Sequence, residues 1–143
     1  MLVKTILRAK GTEVVTAQAE ATVAEIARLL RDKRIGCVVI AEAGGRIAGI
    51  VSERDIVQGL ANEGPAFLDR RASQAMVREV VSCTAETSVE ELMMLMTARR
   101  IRHLPVVENG RLTGIVSIGD VVKNRLDELE SEAVQLRNYI VGA

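Results

Sequence analysis

The sequence predicts a mixed α/β (α+β) fold: two β-α-β-β-α repeats packed about a pseudo-two-fold axis, followed by a long C-terminal helix. Three observations lead there. The chain repeats itself internally. Both copies carry helix-start signals and glycine hairpin turns in the same order. Its 143 residues are 48% hydrophobic yet hold one Phe, one Tyr and no Trp, so the core has to be aliphatic.

The repeat is read by setting Val14, Val15 and Thr16 over Val80, Val81 and Ser82. Glu20 then falls on Glu86, Val23 on Val89, Glu25 on Glu91, Leu29 on Leu95, and Arg34-Ile35 on Arg100-Ile101. After a one-residue gap, Gly49-Ile50-Val51-Ser52 falls on Gly114-Ile115-Val116-Ser117, and Asp55 on Asp120.

Each copy opens with a short apolar stretch, Val14-Val15 or Val80-Val81, expected to be a strand. A capping box follows, Thr22-x-x-Glu25 or Ser88-x-x-Glu91. The helix it starts presents Val23, Ile26, Ala27 and Leu30 on one face, matched by Val89, Leu92, Met93 and Met96. The methionines 93, 94 and 96 read as adaptable core. A strand over 37–41 or 104–107 meets a turn, Gly44-Gly45 or Asn109-Gly110, suited to positive φ. A second strand over 47–52 or 112–117 feeds a helix starting at Ser52 or Ser117. Pro105 marks a position with no amide to pair. The polar connector over 62–73, with Gly64-Pro65, reads as the joint, dividing the chain into 1–70 and 71–143.

One copy is too small to close a core alone. A tandem β-α-β-β-α unit ending in Gly-Ile-Val-Ser-x-x-Asp resembles the CBS domain pair, or Bateman module, over residues 14–125. The stretches 100–107 and 114–121 carry the resemblance most clearly. It implies a cytoplasmic regulatory module without catalysis that binds AMP, NAD(H) or a related adenosine ligand between the repeats, pairs as a homodimer and signals to a client protein.

Ser-x-x-Asp at a helix start suits that chemistry. A carboxylate can accept both ribose hydroxyls, and the helix's first amides favour an anion. The same spacing is also an ordinary N-cap, so the repetition carries the reading. Carried over by position, the resemblance implies two interleaved clefts. One joins Lys10, Val15, Ile35, Gly36 and Cys37 to Arg102, His103, Ser117 and Asp120. The other joins Met76, Val81, Ile101, Arg102 and His103 to Ser52, Arg54 and Asp55. Arg54 faces Gly119 in the alignment, and Arg102-His103 faces Gly36-Cys37, so the clefts should be inequivalent.

From Gly119 onward the pattern is helical. Val122, Leu126, Leu129, Ala133, Leu136 and Ile140 form a heptad seam. Leu126, Leu129, Leu136 and Ile140 are the expected homodimer contacts.

Other classes fit less well. Net charge is zero, which disfavours nucleic-acid binding through Arg70, Arg71 and Arg78. No apolar run has membrane-spanning length, and Lys4, Arg8 and Lys10 interrupt residues 1–10, which do not read as a signal peptide. Cys37 and Cys83 lack metal-ligand spacing and read as reduced buried thiols; His103, the sole histidine, has no partner ligands nearby in sequence. No nucleophile-base pair, Walker lysine loop or GxGxxG is present to suggest an enzyme. A ligand-free dimerisation or adaptor module is the remaining alternative.

Overall fold

A computed structural model describes residues 1–142. The elements run α1 (Val3–Lys10), β1 (Thr16–Ala17), α2 (Val23–Lys33), β2 (Cys37–Ala41), β3 (Ile47–Ser52), α3 (Glu53–Glu63), a 3₁₀ turn (Gly64–Asp69), α4 (Ala72–Ala75), α5 (Val89–Arg99), β4 (His103–Glu108), β5 (Arg111–Ser117) and α6 (Ile118–Gly142).

The predicted grammar produces these boundaries. Thr22 Oγ1 accepts from the Glu25 amide at 3.2 Å, and Glu25 accepts from the Thr22 amide at 3.1 Å. Ser88 makes only the hydroxyl half, accepting from the Glu91 amide at 3.1 Å. Both helices end at a left-handed arginine, Arg34 (φ 54°) and Arg100 (φ 53°). The next amide, Ile35 or Ile101, then reaches back to Leu30 or Met96, satisfying a last-turn carbonyl. The Asn109-Gly110 turn has positive φ at both residues and joins β4 to β5 in a two-residue hairpin.

Each repeat has its own core. Val23, Ile26, Leu30, Val38, Ile40, Val51 and Ile56 fill the first; Val89, Leu92, Met96, Leu104, Val106, Val116 and Val121 fill the second. Neither is closed by its own unit. Val3, Ile6 and Leu7 of α1 bury into the second core, while Ala72 of α4 buries into the first. The exchange is reciprocal in its hydrogen bonds. Val3 N donates to Thr87 O and Val89 N to Met1 O; Ala72 N donates to Ala21 O and Val23 N to Arg70 O. It is reciprocal in packing too. A β-carbon at Gly114 would lie 2.9 Å from Leu7 Cδ2, and one at Gly49 would lie 2.6 Å from Met76 Sδ. Packing therefore crosses the 70/71 division in both directions.

Residues 1–10, for which the sequence predicts no element, contain a helix, because Val3, Ile6 and Leu7 form an apolar stripe among the basic residues. Three expectations are corrected. Met93 and Met94 are exposed, since the buried stripe of α5 is Val89, Leu92 and Met96. The connector is not wholly polar: its 3₁₀ turn seats Phe67 in the first core. The opening strands are also unequal. β1 pairs in parallel with β2, helped by Val39 N donating to Val15 O at 3.3 Å. Pro105 stands where Val39 stands and has no amide to give to Val81, so the second strand shrinks to one bridge, Cys83 beside Val106.

In the first core α3 packs closely on the connector. A β-carbon at Gly59 would overlap the Phe67 ring at Cε1. Gly59→Ala is expected to destabilise the protein by about 1–3 kcal/mol through overpacking. Urea unfolding of wild type and variant measures this, and equal midpoints would mean that Phe67 does not pack on Gly59.

Candidate functional site

The two Ser-x-x-Asp helix starts adopt the same local geometry. At α3, Ser52 N and Ser52 Oγ donate to Asp55 Oδ2 at 2.8 and 2.9 Å, and Asp55 N donates to Ser52 Oγ at 3.3 Å. At α6, Ser117 N donates to Asp120 Oδ2 at 2.8 Å, and Asp120 N to Ser117 Oγ at 3.2 Å. Each aspartate is thus fixed at a helix N-terminus with acceptor capacity left over.

The strand entries bring the rest of the site. Cys37 pairs with Ser52 across β2 and β3, as His103 pairs with Ser117 across β4 and β5. Gly36 O accepts from Glu53 N at 3.0 Å, and Arg102 O from Ile118 N at 2.8 Å. These equivalent segments meet each other: a β-carbon at Gly36 would lie 2.8 Å from His103 Cε1. Self-contact between equivalent positions places them at the pseudo-two-fold axis.

On one side of that contact lies a cleft of about 510 Å³. It gathers Ser52, Arg54, Asp55, Val81, Ile101, Arg102 and His103, as the sequence predicts. Gly36 and Cys37 line it too, although they were expected in the other cleft; the Cys37–Ser52 pairing puts them here. Met76 does not line it. It packs on Gly49, and Val77, alternating to the opposite side, pairs with Ile50 and takes the cleft position. Sequence reasoning missed Ile50, Glu53, Val57, Val77, Glu79, Val80 and Arg100. Glu79 and Val80 adjoin the aligned Val80-Val81 stretch and could have been found there. Arg100, left-handed at the end of α5, carries no binding motif of its own.

The cleft wall mixes three arginines (Arg54, Arg100, Arg102) with three carboxylates (Glu53, Asp55, Glu79) over an apolar floor of Ile50, Val77, Val80, Val81 and Ile101. Among the described residues Asp55 forms no ion pair. The Val81 carbonyl, released from the sheet by Pro105, takes no backbone hydrogen bond among the described residues.

The other predicted set is only partly assembled. Lys10, Ser117 and Asp120 are together: Lys10 Nζ lies 2.7 Å from Asp120 Oδ2 and 3.0 Å from Ile115 O. Val15 and Ile35 instead pack on the first core. Burial opposes ionisation of Asp120, but the Lys10 and Ser117 contacts outweigh it and hold the carboxyl below its ordinary value. Burial lowers the pKa of His103, with Glu53 and Asp120 pulling the other way. Burial pushes Cys37 up to about 12 and Cys83 up to about 11, so both stay neutral thiols. No group of three or more His, Cys, Asp or Glu among the described residues could hold a metal. No helix among them is long and apolar enough to cross a membrane.

Comparison with known proteins places this geometry. The CBS domain family model matches residues 4–62 and 72–127. The crystal structure of a CBS-domain-containing protein from Agrobacterium tumefaciens is 46% identical, with a TM-score of 0.84 over 87% of this chain and 92% of that one. The mitochondrial CBS domain-containing protein CBSX3 of Arabidopsis thaliana is 34% identical over 125 residues, 85% of this chain but 61% of that protein. The CBS domain pair of protein MJ0100, solved in complex with 5′-methylthioadenosine and S-adenosyl-L-methionine, is 26% identical with a TM-score of 0.80, over 90% of this chain and 98% of that one.

The Lys10–Asp120 pair should show in the pH dependence of stability. A carboxyl held below its ordinary value stabilises the fold above the carboxylate range and loses that contribution as pH falls through its folded-state pKa. Lys10→Met is expected to cost about 1 kcal/mol at pH 7, with the deficit shrinking as the medium is acidified. Urea unfolding across pH checks this; a deficit independent of pH would mean the lysine stabilises by packing alone.

Proposed function

We propose, because this chain belongs to the CBS domain family, that it is a non-catalytic regulatory module whose open cleft takes an adenine nucleotide, with AMP and NAD(H) as the leading candidates. One observation carries the reading: the Asp55 carboxylate, fixed by Ser52 and paired with no cation among the described residues, opens onto a cleft of about 510 Å³, within the size range of small-molecule sites.

Each part of such a ligand finds its chemistry there. Asp55 accepts the two ribose hydroxyls, a charge-assisted interaction. The adenine lies on Val77, Val80, Val81 and Ile101, and its amino group has the unpaired Val81 carbonyl within the same wall. Arg54, Arg102 and His103 offer cationic or donor groups to phosphate, beside the α3 N-terminus, whose dipole favours an anion. The MJ0100 complexes support the adenosine half of this reading. Two buried, unpaired thiols fit a reducing compartment, which we take to be the cytoplasm.

The module works as a homodimer that passes its state to a client protein. Support comes from α6, a 25-residue helix whose only buried residue is Val121. Beyond it Leu126, Leu129, Leu136 and Ile140 are all exposed, a seam too apolar to be left in water.

Thermal denaturation against AMP, ADP, ATP, NAD⁺, NADH, S-adenosylmethionine and 5′-methylthioadenosine tests the ligand. A ligand present at about 100 times its Kd should add about 2.7 kcal/mol of stability, and Asp55→Ala should abolish the response. A flat response across the panel would favour the ligand-free adaptor reading. For the dimer, Leu129→Glu with Leu136→Glu should give a folded monomer by sedimentation and circular dichroism; an intact dimer excludes this seam.

A further inference from the structure

Asp55 has its counterpart across the pseudo-axis in Asp120, and beside it the sheet carbonyl is satisfied differently. At the open cleft the carbonyl of Ile50 is taken by a backbone amide: Val77 N donates to Ile50 O at 2.9 Å, and Ile50 N returns a bond to Val77 O at 3.0 Å. This happens because α4 stops at Ala75 and the chain runs on extended from Met76. At the counterpart α1 does not stop at the equivalent point. It continues to Lys10 and ends at Gly11, whose amide bonds Leu7 O at 2.8 Å. Among the described residues no second strand is then laid beside Ile115 on the edge away from β4, and the Lys10 ammonium supplies a donor to the Ile115 carbonyl at 3.0 Å.

The same ammonium lies 2.7 Å from Asp120 Oδ2, the oxygen that also accepts the Ser117 amide. The pair is sheltered, with side-chain exposures of 31% for Lys10 and 22% for Asp120. Asp120 therefore has a resident cation, whereas its twin, Asp55, has none among the described residues and accepts only from Ser52. An ammonium donates and cannot accept, so it matches the two hydroxyl donors of a ribose and competes with them for one carboxylate.

We propose that Lys10 is an internal occupant of the Asp120 site, so that the chain binds one adenosine ligand, at Asp55, and is closed to a second until Lys10 is displaced. The inference rests on the adenosine reading above and goes beyond it by assigning stoichiometry and naming the residue that sets it. If the locked arrangement holds nine-tenths of the molecules or more, apparent affinity at Asp120 falls about tenfold or more relative to an unlocked site. A neutral nucleoside such as 5′-methylthioadenosine is the strictest probe, because it brings no phosphate to draw the lysine away.

Calorimetric titration of wild type, Lys10→Met and the double variant Lys10→Met with Asp55→Ala against 5′-methylthioadenosine tests the lock. The expected stoichiometries are one, two and one. Two independent equivalents in wild type, or a single equivalent in Lys10→Met, would overturn it. Carbon NMR of the aspartate carboxyls in wild type supplies a readout that needs no variant: saturating nucleoside should shift the Asp55 signal and leave Asp120 in place, and a shifted Asp120 overturns the lock. Binding by none of the proteins would reject the adenosine reading itself, and the lock with it.

Discussion

Neither repeat can close its own core, and the rest of the molecule depends on how that deficit is met. A helix laid on a hairpin leaves one flank of apolar side chains uncovered, and each copy covers the other's flank with the segment that precedes it. Val3, Ile6 and Leu7 complete the second core; Ala72 completes the first, with Met76 packed against it. Gly114 and Gly49 are the points where those covering segments press on the sheets, and the absence of a side chain there permits the approach. Because the cover is exchanged, the two units cannot separate without exposing both cores. The strand entries at Gly36 and His103 are pressed together as a result, and the space beside them becomes a cleft lined from both repeats.

Exchange imposes approximate symmetry, and two local substitutions break it. A proline at position 105, where the first copy has Val39, removes the amide that would tie down Val81. A longer α1 replaces a backbone strand beside Ile115 with a lysine side chain. Both changes concern only which group satisfies a sheet carbonyl, and neither disturbs a core residue. Their effects fall on the clefts: one acquires a free carbonyl, the other a resident cation. A duplicated scaffold thus supports two unlike sites with no change of fold, since these two differences lie in hydrogen-bond partners at the sheet rims and add to the side-chain differences of Arg54 against Gly119 and Arg102-His103 against Gly36-Cys37.

Much of this was legible in the chain because it is governed by local chemistry. The capping box at Thr22, the Asn109-Gly110 turn, the alternation over residues 47–52 and the twice-used Ser-x-x-Asp each act within a few residues, and duplication confirmed each by its partner. The site was legible where it hangs on those signals: Ser52, Asp55, Ser117 and Asp120 sit at helix starts that the spacing marks. It was not legible where placement is set by distant parts of the chain. The apolar stripe of α1 is short, and its partner surface is some hundred residues away. The choice of Val77 over Met76 as cleft residue depends on one strand pairing, with Ile50, that a four-residue helix permits by ending early. Lys10 read as a ligand contact because the sequence could show its proximity to Asp120 only through the family resemblance, not the direct ion pair.

The same contacts define how occupancy could reach a partner. The Arg102 backbone carbonyl accepts the first amide of α6 at 2.8 Å, while Arg102 itself lines the open cleft. His103, next along, faces the cleft and pairs with Ser117, which caps α6 through Asp120. One two-residue segment therefore joins the ligand cleft to the root of the helix whose far end carries the exposed apolar seam. A ligand can redistribute two arrangements of that helix only by as much as its affinity differs between them. The groups able to sense such a difference are those bonded to both sides, and in this chain they are Arg102 and His103. A charge placed over Arg102 acts on a residue whose backbone holds α6, whereas the same charge over Arg54 acts on an exposed helix turn with no such tie. On the proposed adenosine reading, coupling through the dimer is thus expected to depend on the phosphate end of the ligand more than on its adenosine.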